Sequence, residues 1–311
     1  MSKIKAAMKK KSFLIGFAVA ALLASCSKPD NTYKGPDYVM FADTLQTIAI
    51  QDGETYHDIP VSATTACNYD RTYAVEIVDK GTNAVEGKHF DLQSNTVTIP
   101  AGQLATSVKV RGHFDQINDT DSLGFELRLI ADNDKIWDMY GADTKVVLQK
   151  VCPFDLDRLV GEGKNYAKLT STWFEDFMQQ TSVILLRPQR STDPKDPENT
   201  IVLPNFLYEG HDMKITLHND DPLQPLVTWN ECVLGSTGEA FQGTVWGDDK
   251  LRAMPVTSAT DYYNMCQGYV LQYMTIYVAG IGTVGTYLNV IEWISEAEYR
   301  ELARQLGIEV E

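Results

Sequence analysis

The chain has 311 residues, with 27 Lys and Arg against 42 Asp and Glu and a formal net charge of −15. That balance disfavours nucleic acid and a bare anionic membrane as partners, since both need basic patches. The length and an ordinary apolar fraction of 44% suit roughly two domains, each able to bury a core.

Residues 1–25 read as an export signal. Lys3, Lys5, Lys9, Lys10 and Lys11 form a basic start, and Phe13 to Ala24 is an apolar run of 12 residues, too short to span a bilayer as a helix. Leu23-Ala24-Ser25-Cys26 resembles the bacterial lipobox, which implies cleavage before Cys26 and acylation of its thiol. Removing the five signal lysines leaves 22 basic against 42 acidic residues, a net of −20 for the mature chain. Ser27 after the Cys favours the outer membrane over inner-membrane retention, with the folded part facing the periplasm or the cell exterior. Residues 26–37, polar and containing Pro29, Gly35 and Pro36, form the lipidated tether.

From Tyr38 the pattern has period two. Tyr38–Ala42, Thr47–Gln51, Asp58–Thr65, Tyr73–Ile77, Val97–Ile99, Val108–Val110, Phe125–Leu129 and Thr144–Gln149 each read as a short half-buried strand. Turn residues separate them at Asp52-Gly53, Lys80-Gly81, Pro100-Ala-Gly102 and Asn118 to Ser122. Evenly spaced short strands over residues 38–151 predict a β-sandwich. Within this stretch Asp43-Thr44-Leu45 and Asp121-Ser122-Leu123 resemble a Bacteroidota O-glycosylation motif, marking Thr44 and Ser122 as acceptors.

Glu86-Gly87-Lys88-His89-Phe90, Val97-Thr-Ile-Pro-Ala-Gly-Gln103, Val108-Lys-Val110 and Phe125-Glu-Leu127-Arg-Leu129 resemble the Calx-β pattern and its relatives in Bacteroidota surface lipoproteins. The resemblance implies an immunoglobulin-like sandwich. Because Calx-β relatives can bind Ca²⁺ at the sandwich end, it also marks Asp115, Asp119 and Asp121 as calcium ligands, against a plain reading of that loop as a solvated acidic turn.

Val151-Cys152-Pro153 breaks the pattern and opens a second unit, residues 152–311. Thr181–Leu186, Thr200–Leu207, Met213–His218, Tyr269–Val278 and Thr286–Trp293 read as strands, so this unit is a second antiparallel sandwich or barrel. It resembles C-terminal domains of unknown function in Bacteroidota lipoproteins, although Gly163-Lys-Asn-Tyr166 departs by one residue from their usual start. Trp246-Gly-Asp248-Asp249 sits in a turn-like stretch. An exposed aromatic face beside carboxylates can stack on a sugar ring and bond its hydroxyls, whereas Trp137/Tyr140 and Trp173/Phe174/Phe177 read mainly as core. Gly280-Ile-Gly282-Thr-Val-Gly285 fits a dinucleotide fingerprint, but strand-forming residues follow it where a helix is required. A glycine hairpin between two core strands accounts for it. Ser295-Glu-Ala-Glu298 is a capping box for a helix over residues 296–306, stopped by Gly307.

Four cysteines follow Cys26: Cys67, Cys152, Cys232 and Cys266. A disulfide between Cys232 and Cys266 and four buried thiols are equally compatible with the sequence. His57, His89, His113, His211 and His218 show no metal spacing, and no nucleophile motif is present. The expectation is a mainly all-β, non-enzymatic outer-membrane lipoprotein. It needs no cofactor beyond possible calcium and binds a glycan or surface protein through its folded part. An envelope polysaccharide hydrolase using a carboxylate pair, and a structural subunit of a surface assembly, are the alternatives.

Overall fold

The computed structural model describes residues 33, 35–53, 55–179 and 181–309. The signal segment and Cys26 lie outside the described residues. The fold is mostly β, with two separate hydrophobic cores.

The first core lies between two sheets. One has the order β1 (Val39–Phe41), β3 (Tyr56–Ala63), β7 (Ala105–Gly112) and β5 (Phe90–Leu92). The other has the order β2 (Leu45–Ile50), β9 (Asp143–Lys150), β8 (Leu123–Ile130), β4 (Arg71–Val78) and β6 (Thr96–Ile99). All pairings are antiparallel except β2 with β9, which run parallel from Leu45↔Lys145 to Ile50↔Lys150. Alternating residues bury one face of each sheet. Ile59 and Val61 of β3 meet Leu127 and Phe125 of β8 in a common core, where the Phe90 and Phe125 rings stack 3.7 Å apart. Close packing fixes Gly112: a Cβ there would lie 2.3 Å from Ile50 Cδ1.

The path of the chain gives this sandwich two distinct ends. β8 runs from the Asn118–Ser122 turn toward the loop carrying Trp137, and β9 returns to deliver the chain to Val151 and Cys152. At about 3.3 Å per residue an eight-residue strand spans roughly 26 Å. The amino-terminal segment enters at the Trp137 end, where Val39 bridges Ile136. Entry and exit therefore lie at opposite ends.

The second core is enclosed by a seven-stranded and a four-stranded sheet. The larger has the order β11 (Ile184–Leu186), β10 (Ala167–Ser171), β20 (Gly282–Trp293), β19 (Tyr269–Val278), β17 (Leu251–Pro255) and β16 (Cys232–Gly235), with β18 (Tyr262–Asn264) also on β19. The smaller has the order β12 (Gln189–Arg190), β13 (Thr200–Leu203), β14 (Met213–Leu217) and β15 (Val227–Thr228). Between them Trp173, Phe206, Ile215 and Ile276 are fully enclosed. The short helices α1 (Asp157–Val160), α2 (Trp173–Phe177) and α3 (Thr237–Ala240) sit in connections. The terminal helix α4 spans Glu296–Leu306, as its sequence predicts. Ser295 Oγ accepts from Glu298 N at 3.2 Å, Gly307 is left-handed at φ 69°, and Tyr299 and Ala303 face the core. The glycine stretch is a hairpin turn joining β19 to β20, and the uncharged run Tyr262–Ile291 is the central strand pair. Among the described residues no helix is long and apolar enough to cross a membrane.

The pairing of Cys232 with Cys266 is corrected: Cys266 is bonded to Cys152, with their Cα atoms 5.1 Å apart. Cys232 pairs with Ala253, which pairs with Ile276 on β19, whereas Cys266 precedes the start of that strand at Tyr269. Seven residues of strand, about 23 Å, separate the two positions, far beyond disulfide reach. Cys232 and Cys67 are free thiols.

Candidate ligand-binding face

β19 starts beside Cys266 and runs ten residues, about 33 Å, to the hairpin tip, so the tip is the part of that hairpin farthest from the junction between the two cores. Gly280 (φ 76°) and Gly282 (φ 143°) turn the chain there and leave Ile281 in solvent. Against the tip rests the loop between α3 and β17. At Gly247 (φ 57°) a Cβ would lie 3.1 Å from both Ala279 O and Val278 Cγ1, so glycine eases the close approach of the loop.

A buried hydroxyl holds this loop in shape. Thr237, fully enclosed, accepts from Trp246 N at 2.8 Å, and its Oγ1 lies 2.8 Å from Asp249 Oδ1. Asp249 Oδ1 also accepts from Gly238 N at 2.9 Å. These contacts, the backbone amide of Gly238 first, hold the Asp249 carboxyl below its ordinary range. The result is a rigid presentation of Val245, Trp246 and Ile281, which are 63%, 45% and 56% exposed.

Polar groups border this apolar surface. Asp248 takes a bidentate contact from Arg252 at 2.9 and 2.5 Å, and that guanidinium pulls its carboxyl down to about 2. Arg252 lies across the ladder from Tyr277, whose hydroxyl donates to Glu231 Oε1 at 2.5 Å. An exposed indole on a loop that also carries a carboxylate–guanidinium pair offers a face that can stack on a sugar ring and polar groups that can bond its hydroxyls.

Of the residues the sequence points to, the structure brings Trp246 to the surface, places Asp248 beside it in an ion pair, and uses Asp249 to build the loop. Val245, Ile281, Glu231, Arg252 and Tyr277 were not legible, because strand pairing and a hairpin tip assemble them from four separate segments. The local signal available was Gly280-Ile281-Gly282, an apolar residue between turn glycines.

The three aspartates marked for calcium do not converge on a shared point. Asp119 pairs with Lys150 Nζ at 3.0 Å and lies beside the Cys152–Cys266 sulfurs. Asp121 turns back onto Asn118, accepting from its backbone N at 2.9 Å and Nδ2 at 3.0 Å. Asp115 sits in a separate single turn, Phe114–Gln116. Thr44 and Ser122 are both exposed at strand entrances, open to modification. Trp173 and Phe174 are core, whereas Trp137 is half-buried, stacked on Tyr38 at 5.5 Å and edge-on to Tyr140 at 5.0 Å.

At the junction a cleft of about 110 Å³ is lined by Gln51, Lys150, Phe154, Tyr263 and Asn264 among others. Its polar groups are committed to the fold. Lys150 Nζ donates to Ile117 O at 2.8 Å and lies over the Phe114 ring at 4.4 Å. Gln267 Nε2 donates to Asp119 O at 3.0 Å, tying the two halves together. Tyr263 donates to His218 O at 3.0 Å, and burial pushes its hydroxyl up to about 12.

A family model described as Domain of unknown function (DUF4984) matches residues 139–305. No curated protein matches the chain. Among solved structures, CBD12 from CALX1.2 is 16% identical, with 36% of this chain and 45% of that chain covered and a TM-score of 0.30. A protein of unknown function from Bacteroides ovatus is 9% identical over 82% of this chain and 89% of its own, with a TM-score of 0.33. A putative carbohydrate binding protein from Bacteroides ovatus ATCC 8483 is 13% identical over 81% of this chain and 74% of its own, with a TM-score of 0.30.

Proposed function

The chain belongs to the DUF4984 family of domains of unknown function, and from that premise we propose that it is a non-enzymatic glycan-binding module held at the outer membrane by a lipid on Cys26. The carrying observation is the rigid Val245–Trp246–Ile281 surface at the tip of the β19–β20 hairpin. Buried hydrogen bonds to Thr237 fix the backbone that carries Trp246, so little loop freedom is lost when a sugar ring stacks on the exposed indole. The sandwich then acts as a spacer, taking the tether at one end and presenting the C-terminal unit at the other.

Glycan-array screening of the full chain, followed by calorimetry on any sugar retained, tests this function. Trp246→Ala is expected to weaken binding by about 2 kcal/mol, in the range of an interface hot spot, with the fold unchanged by circular dichroism. Arrays that retain nothing, or binding that survives Trp246→Ala, Val245→Ala and Ile281→Ala together, would remove it.

A further inference from the structure

The end of the sandwich opposite Val151 carries a second exposed aromatic cluster. Its centre is Tyr38, Trp137 and Tyr140, and beside it Met139 and Tyr140 are 75% and 48% exposed. Tyr69, in a loop at the same end of the sandwich, is also exposed. This is the end at which the amino-terminal segment joins the fold, and Asp37 fixes the junction. Its carboxylate accepts from Arg71 Nη1 at 2.8 Å and Thr65 Oγ1 at 2.6 Å, with Lys135 Nζ at 3.5 Å.

We propose that this cluster rests in the headgroup zone of a zwitterionic phospholipid bilayer, so that the sandwich stands on the membrane instead of swinging freely from its tether. The inference rests on the lipid anchor of the proposed function. The twelve residues from Cys26 to Asp37 reach at most about 40 Å when fully extended, so an acylated Cys26 keeps the end bearing Tyr38 close to the surface. The side chains suit that zone. Trp and Tyr place an apolar ring and a polar edge at the membrane–water boundary, and Met139 offers an adaptable apolar chain. The charges select the lipid: Asp132, Asp134 and Asp138 are exposed around the cluster and would be repelled by anionic headgroups.

The test uses the acylated full-length protein reconstituted into phosphatidylcholine vesicles whose acyl chains carry bromine near the headgroup. Co-flotation with the vesicles reports the anchor, and quenching of tryptophan fluorescence reports what touches the lipid. The expected result is co-flotation with quenching that is lost in Trp137→Phe and kept in Trp246→Phe. A Met139→Ser variant, whose side chain is 75% exposed, is expected to reduce the quenching with the fold intact. Co-flotation without quenching overturns the contact and leaves the anchor standing. Quenching lost in Trp246→Phe would put the other end on the membrane, and glycan retention abolished by Trp137→Phe would assign the cluster to sugar. Failure to float removes anchor and contact together.

Discussion

Cys152 is bonded to Cys266, 114 residues further along the chain, so the segment that leaves the sandwich is stapled to the turn that begins the central hairpin of the C-terminal unit. The staple sits beside Asp119, whose carbonyl oxygen accepts from Gln267, the residue after Cys266. A covalent bond and a hydrogen bond thus converge on the junction from both sides.

Digestion under non-reducing conditions should release one linked peptide pair containing Cys152 and Cys266. Burial pushes the Cys232 thiol up to about 11, so iodoacetamide at pH 8 should modify Cys232 only after denaturation. Closing a loop of this length restricts the unfolded chain. Cys152→Ser/Cys266→Ser should therefore lower the unfolding free energy of the C-terminal unit by about 2–5 kcal/mol. Urea titration followed by Trp173 and Trp229 fluorescence checks this, and an unchanged midpoint would contradict it.

Thr237→Val should loosen the tip without unfolding the molecule. The substitution keeps the shape of the side chain but leaves Trp246 N without its acceptor and Asp249 without a neighbour hydroxyl. The expected loss is about 1–3 kcal/mol, confined to the loop. Amide exchange at residues 244–249 should accelerate while exchange in β19 and β20 stays slow.

Two aspartates should titrate on opposite sides of their common reference value of 3.8. Burial pushes Asp261 upward, only partly offset by bonds from Tyr273 N and Trp229 Nε1, each at 2.7 Å. Its contribution to stability is complete below 3.8 and is lost as pH rises through its folded-state value. Asp196 is held down, first by its bond from Lys214 at 2.7 Å and then by Ser191. Its contribution is present above 3.8 and is lost as pH falls through its lowered value. Carboxyl ¹³C titration by NMR reads both midpoints directly, and an Asp261 midpoint at or below that of Asp196 would refute the assignment.

Asp37→Ala should destabilise the sandwich and spare the C-terminal unit. Arg71 is buried, with a second bond from Nη2 to Gln103 O at 3.1 Å, and its Nε has no hydrogen-bond partner among the described residues. Removing the carboxylate leaves an enclosed guanidinium uncompensated, at a loss of about 3–5 kcal/mol. Two resolved thermal transitions, only the first of them shifted, are the expected calorimetric result.

The sequence marked most strands of the sandwich because its alternation is local: every second residue from Thr47 to Gln51 or from Phe125 to Leu129 faces one core. The same logic located β19 and α4 to the residue. It missed β17, where Arg252 and Pro255 break the apolar rhythm, and β10, whose stretch Ala167–Ser171 offers only two clearly apolar positions. Cysteine pairing was not legible because it depends on which end of β19 each cysteine reaches. Trp246 was legible as an exposed aromatic in a turn. Its partner Ile281 was not, since it lies 35 positions further along the chain, beyond three strands. In the acidic loop Asp119 pairs with Lys150, the last residue of β9, a contact between separate segments that local pattern does not reveal.

The parallel pairing of β2 with β9 has a mechanical consequence. The segment entering the sandwich passes through the three-residue β1 into β2, and the segment leaving it continues from β9. A pull on the two ends of the sandwich therefore drags these strands past each other lengthwise. All six pairs from Leu45↔Lys145 to Ile50↔Lys150 are then strained together in shear instead of being opened one by one like a zipper. A sandwich wired this way is expected to resist stretching along that axis better than its thermal stability alone would suggest, which force spectroscopy can read.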